Sequence, residues 1–109
     1  MKKLFWLILL AALPASAAVQ TIQITIGAGA THVSAVTLNC RWVVFQNNST
    51  ANAMHIGDST VSSTKGINLP AGASFFVPPM PGSTAVNLAS WYVQGTAADV
   101  IDISCDVIN

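Results

Sequence analysis

The sequence contains no glutamate, and charged residues of every kind make up 7% of its 109 positions, against about 25% in an average soluble protein. Its acidic side chains are four aspartates, which gives carboxylate-pair glycoside hydrolysis little to draw on. Lysine and arginine together also number four, and Lys2 and Lys3 use up two of them. With no basic patch or stripe, the chain lacks the electrostatic footprint of a nucleic-acid binder, and no nucleic-acid partner is expected. Serines are plentiful, but no G-x-S-x-G elbow presents one as a nucleophile. These absences lead to the expectation of a protein that is not an enzyme and uses no cofactor.

The hydrophobic fraction of 52% is inflated by the N-terminus. Met1 to Ala18 reads MKKLFWLILLAALPASAA. Lys2 and Lys3 form a basic start, Leu4 to Leu13 is an unbroken apolar run, Pro14 ends it, and Ala15-Ser16-Ala17 supplies small residues for a signal peptidase. This is the pattern of a secretory signal peptide. As a helix the run would extend roughly 15 Å, about half of a ~30 Å hydrocarbon core, so a retained membrane anchor is the weaker reading. Cleavage after Ala17 or Ala18 leaves a single domain, residues 19–109. Export would place it in the periplasm or outside the cell, and a virion is a further destination that fits.

The domain left behind keeps Arg41 and Lys65 against Asp58, Asp99, Asp102 and Asp106, two positive charges against four negative. No polybasic or amphipathic segment remains to hold it on a membrane surface. Cys40 and Cys105 both survive cleavage. An even count in an oxidising compartment predicts a disulfide between them.

Along residues 19–109 no window sustains a helical period. Ile22, Ile24 and Ile26 alternate with Thr21, Gln23 and Thr25, the period-two signature of a half-buried strand. In Val36 to Gln46 the even positions Val36, Leu38, Cys40, Trp42 and Val44 share one face. The odd positions turn apolar at Val43 and Phe45, so one long strand or two joined by a bulge would fit. A break near Asn39 is the expectation. Ala53 to Gly57 places Met54 and Ile56 inward and His55 outward. Pro78-Pro79-Met80-Pro81-Gly82 reads as a stiff connector crossing between sheets. In the closing strand Ile101, Ile103, Cys105 and Val107 lie on one face and Asp102, Ser104 and Asp106 on the other. Turn signals recur every eight to twelve residues or so, which predicts an all-β antiparallel β-sandwich of about seven to eight short strands.

A family resemblance rests on the turns and short strands of the second half. Its pieces are Asn47-Asn48-Ser49, Met54-His55-Ile56-Gly57-Asp58, Val61-Ser62-Ser63-Thr64-Lys65-Gly66, Leu69-Pro70-Ala71-Gly72, and Trp91-Tyr92-Val93 with the closing alternating strand. Over Gln46 to Asn109 the chain resembles small β-sandwich structural proteins of tailed phages and related prophage genes. The resemblance implies a structural subunit of an assembly, such as a capsid, decoration or filament protein. Its partners would be copies of itself or other subunits. The signal peptide and the cysteine pair depart from cytoplasmically assembled capsid proteins. An assembly whose subunits cross a membrane would reconcile the two.

Candidate sites carry bland readings beside the chemical ones. His55 and Asp58 are three apart, but zinc would need a third ligand on a shared face, and no metal site is expected. Asp102 and Asp106 stand roughly 13 Å apart along a strand and cannot share a calcium ion unaided. They read instead as a solvated face that keeps a near-terminal strand from pairing with neighbours. Trp42, Phe75, Phe76, Trp91 and Tyr92 could stack on sugars, though aromatics in so small a sandwich usually fill the core. Trp91 and Tyr92 are adjacent on a strand, so one points in and one out, and with His55 they are the candidate contacts for a secreted module binding glycan or a cell-surface protein. Asn47 and Asn48 each begin an N-x-[ST] sequon, which matters only in a eukaryotic secretory host. Intact-mass measurement of the exported product checks the N-terminal reading: a chain beginning at Ala18 or Val19 is expected, and one retaining Met1 would refute cleavage.

Overall fold

The computed structural model describes residues 19–79 and 85–108. The signal-peptide segment 1–18 lies outside the described residues, as does Met80-Pro81-Gly82 of the proline connector. Nine strands are described: β1 Val19–Thr25, β2 Thr31–His32, β3 Asn39–Asn47, β4 Met54–Gly57, β5 Ile67–Leu69, β6 Ser74–Val77, β7 Val86–Asn87, β8 Tyr92–Gln94 and β9 Val100–Val107. A 3-10 turn, Leu88–Ser90, separates β7 from β8. The strands form two sheets, all pairs antiparallel. One runs β1-β9-β3-β6 with β7 also on β3, and the other runs β2-β8-β4-β5. The all-β two-sheet architecture expected from the turn spacing is what the chain adopts.

Alternation sets the faces. In β9, Ile101, Ile103 and Cys105 are fully buried, while Asp102, Ser104 and Asp106 face outward. Val43, Phe45, Ile101 and Ile103 of the first sheet meet Met54, Ile56, Leu69 and Val93 of the second in one continuous core. Fully burying an aliphatic or aromatic side chain is worth about 1.5–3 kcal/mol, so these few residues carry the sandwich.

The structure corrects three expectations. First, Asn39 does not break the third strand but begins it. The discontinuity lies two residues later: Cys40 pairs with Val107 and Val43 with Cys105, a bulge that sets three residues of β3 against two pair positions of β9. One extra residue inverts the parity of a period-two chain. Cys40 points inward, but beyond the bulge Val43, Phe45 and Asn47 are the buried ones, and Trp42 and Val44 are not. Val36, placed on one face with Cys40 by the alternation, is 70% exposed. Second, β9 is not kept from pairing. It is a central strand with β1 on one side and β3 on the other, and its aspartates point out of the sheet plane. Third, the proline connector does not cross between sheets, because the strands on either side of it, β6 and β7, both pair with β3.

The bulge also places the disulfide. Cys40 and Cys105 are bonded, with Cα atoms 5.5 Å apart and a sequence separation of 65. The bond ties adjacent strands of one sheet, β3 and β9, at the point where their register shifts. Closing a loop of that length is worth about 4 kcal/mol in the chain-entropy picture.

A second tie runs between the sheets. Asn47, at the end of β3, is completely buried. Its Nδ2 donates to the carbonyls of Asn52 (2.9 Å), Leu69 (3.0 Å) and Pro70 (3.2 Å), and its Oδ1 accepts from Ser49 N–H (2.8 Å). Its backbone N–H donates to Ala73 O and its carbonyl accepts from Gly72 N–H. One side chain thus joins the first sheet to the end of β5 and organises both the 48–53 loop and the Leu69-Pro70-Ala71-Gly72 turn. Burial also closes the first sequon to glycan in the folded chain, whereas Asn48 is exposed.

Asn47 can be tested with two variants. Asn47→Ala leaves buried carbonyls and the Ser49 amide unpaired and should cost about 3 kcal/mol in urea unfolding. Asn47→Asp keeps the shape but sets a carboxylate against carbonyl oxygens, and it should destabilise more than alanine near neutral pH. Equal midpoints for wild type and both variants would refute this role.

Candidate functional site

Among the described residues no three histidine, cysteine, aspartate or glutamate side chains gather as a metal site would require. Each aspartate instead has a local partner. Asp106 pairs with Arg41 at 3.0 Å. Asp102 accepts from Gln23 Nε2 at 3.0 Å and from Asn48 Nδ2, and Asp99 accepts from Asn52 Nδ2 at 3.0 Å. His55 and Asp58 are not brought together as ligands: His55 faces outward on β4 while Asp58 closes the turn after it.

That turn opens the loop of residues 58–66. Asp58 Oδ1 accepts from Thr60 N–H at 2.8 Å and from the Thr60 hydroxyl at 2.5 Å. Val61 N–H donates to Asp58 O, and Ser62 and Lys65 exchange backbone hydrogen bonds. Val61 turns under the loop and is buried. Gly66 closes it at φ 129°, where a Cβ would lie 2.7 Å from Val61 Cγ2 and 2.9 Å from Ile56 O. Only glycine meets both the left-handed backbone and the close approach. The Thr60 hydroxyl, then the Thr60 N–H, hold the Asp58 carboxyl below the usual carboxylate range; desolvation opposes them, and the Lys65 charge adds the smallest downward pull.

Beneath this loop lies an open cleft of about 410 Å³, walled by Ile56, Val61, Ile67 and Trp91, with Asp58 and Lys65 among its lining residues. Trp91 is half-buried, its ring 5.2 Å from that of Phe45. Its neighbour Tyr92 lies on the outer face of the second sheet. Cross-strand pairing there aligns His32, Tyr92 and Gly57 in one row, and Gln94, His55 and Asn68 in the next. The His32 and Tyr92 rings stack 4.4 Å apart and within 1° of parallel. His32 Nε2 donates to Ala89 O, which fixes the imidazole in place. Gly57 adds no side chain beside Tyr92. A second, more polar hollow of about 320 Å³ lies next to His55, Ser63 and Gln94.

Sequence reading singled out Trp91, Tyr92 and His55, and the structure sets them on or beside the second sheet: Tyr92 and His55 on its outer face, Trp91 in the cleft. It missed His32 as a partner of Tyr92. No local signal could have found that pair, because it depends on β2 meeting β8 across 60 residues of chain. Among the described residues no helix is long and apolar enough to cross a membrane, and the closed disulfide is compatible with an oxidising compartment. Compared with family models, curated proteins and solved structures, the chain matches none.

The loop chemistry has a signed pH dependence. Hydrogen bonds to Asp58 favour its ionised form, so their contribution is complete above the ordinary aspartate range. It is lost as pH falls through the lowered folded-state value. The Thr60 amide resonance, followed by NMR from pH 6 down to about 2, should titrate with a midpoint below the ~3.9 of an unperturbed aspartate. Thr60→Val should move that midpoint upward. A midpoint unchanged by the substitution would remove the hydroxyl as the cause.

Proposed function

We propose that this protein is a non-enzymatic structural subunit of an exported or phage-like assembly. The observation that carries the reading is its surface. The described residues include two cations and four aspartates, and Arg41, Asp99, Asp102 and Asp106 are engaged with neighbours in the chain. What remains outward is Asp58 and Lys65 on the 58–66 loop and otherwise Ser, Thr, Asn, Gln and Ala, interrupted by apolar side chains. Phe76 is 53% exposed and lies 6.3 Å from Trp42 on the outer face of the first sheet, and Val19 is 58% exposed. Such a surface offers little electrostatic repulsion to an approaching copy and some apolar area to bury. The phage-protein resemblance of residues 46–109 supports the same reading, and no chemical constellation among the described residues competes with it.

A second reading has its own observation. The Tyr92–His32 stack beside Gly57, with the Trp91 cleft nearby, would serve a secreted module that stacks on a sugar ring or grips an apolar side chain of a surface protein.

Sedimentation of culture fluid from producing cells, with intact mass of the chain in each fraction, separates the two. A structural subunit is expected to pellet with particles or filaments. A soluble monomer that binds glycan or a surface protein, and loses binding on Tyr92→Ala with the fold intact, would replace the structural reading with the module.

A further inference from the structure

The two sheets have four lateral edges, and three of them are short or interrupted. The second sheet ends in β2, two residues long, and β5, three residues long. The far side of β3 is shared by β6 and β7, four and two residues long, and Pro78-Pro79 follows β6 directly. Short edge strands and prolines are devices that stop sheets from pairing edge to edge. The fourth edge, β1, has none of them. It runs seven residues, Val19–Thr25, in unbroken register with β9 from Val19↔Asp106 to Thr25↔Val100. It holds no charge, proline or glycine, and five of its seven residues are β-branched. Its pairing with β9 occupies one side of the strand, and among the described residues no strand pairs on the other.

The carboxylates of β9 that flank β1 are also engaged. Asp102 of β9 is engaged by Gln23 from β1 itself, and Asp106 by Arg41. A strand approaching this edge would meet Asp106 paired with Arg41 and Asp102 hydrogen-bonded by neutral amides on its own chain. The strand is complementary to itself as well. Antiparallel pairing about Ile22 would set Ile22 opposite Ile22 of the second copy, Gln20 opposite Ile24, Thr21 opposite Gln23 and Val19 opposite Thr25. Directly opposed residues share a face. Ile22 and Ile24, half-buried because the sheet stops beside them, would gain a neighbour on their open side.

We propose that β1 is the contact by which two copies of this chain join, edge to edge and antiparallel across a two-fold axis, into one continuous sheet. The proposal rests on the reading that the chain associates with itself, and it names the surface and the symmetry. A two-fold contact of this kind closes on itself. It would make the dimer the building block and leave any further growth to another face, such as the Trp42–Phe76 patch.

The test uses the chain expressed with its own N-terminus and purified with the Cys40–Cys105 bond closed. Sedimentation velocity across a concentration series is combined with hydrogen exchange of the peptide covering residues 19–25. The expected result is a monomer–dimer equilibrium in which exchange of β1 amides slows as the dimer fills. Thr21→Lys with Thr25→Lys puts four like charges along the seam on exposed positions, and it should weaken dimerisation by about tenfold or more. Ser63→Lys with Thr64→Lys adds the same charge in the 58–66 loop and should leave the equilibrium unchanged. Association with β1 exchange unaltered, or equal weakening by both lysine pairs, would overturn the β1 contact and leave self-assembly standing. A chain that stays monomeric throughout would overturn both.

Discussion

The carboxamide of Asn47 is the polar group on which the sandwich closes. Two sheets of this size cannot bury much area, and burying backbone carbonyls where chain segments leave one sheet for the other is costly unless they are paired. Asn47 meets that cost at one point. Its amide reaches carbonyls in the 48–53 loop and at the end of β5, and its oxygen holds Ser49. The core therefore need not be large. The loops at this end converge on one enclosed side chain, and the strands they connect are positioned by the same contact. Among the described residues no buried side-chain nitrogen or oxygen lacks a partner, consistent with a small domain that has little stability to spare.

The disulfide complements this from the opposite end of β3. Asn47 ties sheet to sheet; Cys40–Cys105 ties strand to strand within one sheet, beside the bulge. A bulge interrupts ladder hydrogen bonds and sharpens local twist, so β3 and β9 are covalently joined next to their weakest pairing. Sending Trp42 outward and Phe45 inward is the work of that single extra residue. The aromatic patch with Phe76 and the Phe45–Trp91 contact are both its consequences.

Much of the architecture was legible because strands announce themselves by alternation. β1 and β9 follow their patterns residue by residue, and turns marked by Asn, Asp, Gly and Pro separate the remaining short strands. The strand containing Cys40 was misread for a physical reason. A one-residue insertion changes which parity is buried, and composition carries no trace of it when both parities are apolar, as at Trp42 to Phe45. The order of strands was equally hidden. Asp102 and Asp106 resembled the guard of an exposed edge, yet β9 lies at the centre and its carboxylates are held by Gln23, Asn48 and Arg41. Asn47 read as a turn residue and a sequon, since nothing local says that a polar side chain will be completely enclosed. For the candidate site, the outward positions of His55 and Tyr92 follow from alternation, but the His32–Tyr92 stack and the cleft beneath the 58–66 loop exist only through long-range pairing.

The position of β9 also governs when the molecule can become itself. β1 and β3 do not pair with each other; β1, and the side of β3 that faces it, wait for β9, the last of the described strands, and the disulfide waits with them. A ribosome delivers the chain from its N-terminus, so the first sheet has no middle until Val100 to Val107 has emerged. Contacts this distant in sequence also form slowly. Before β9 emerges, β3 can pair with β6 and the strands of the second sheet can pair with one another, but β1 has no strand to join and the clasp cannot close. A copy interrupted before β9 therefore carries a first sheet split in two and no covalent clasp.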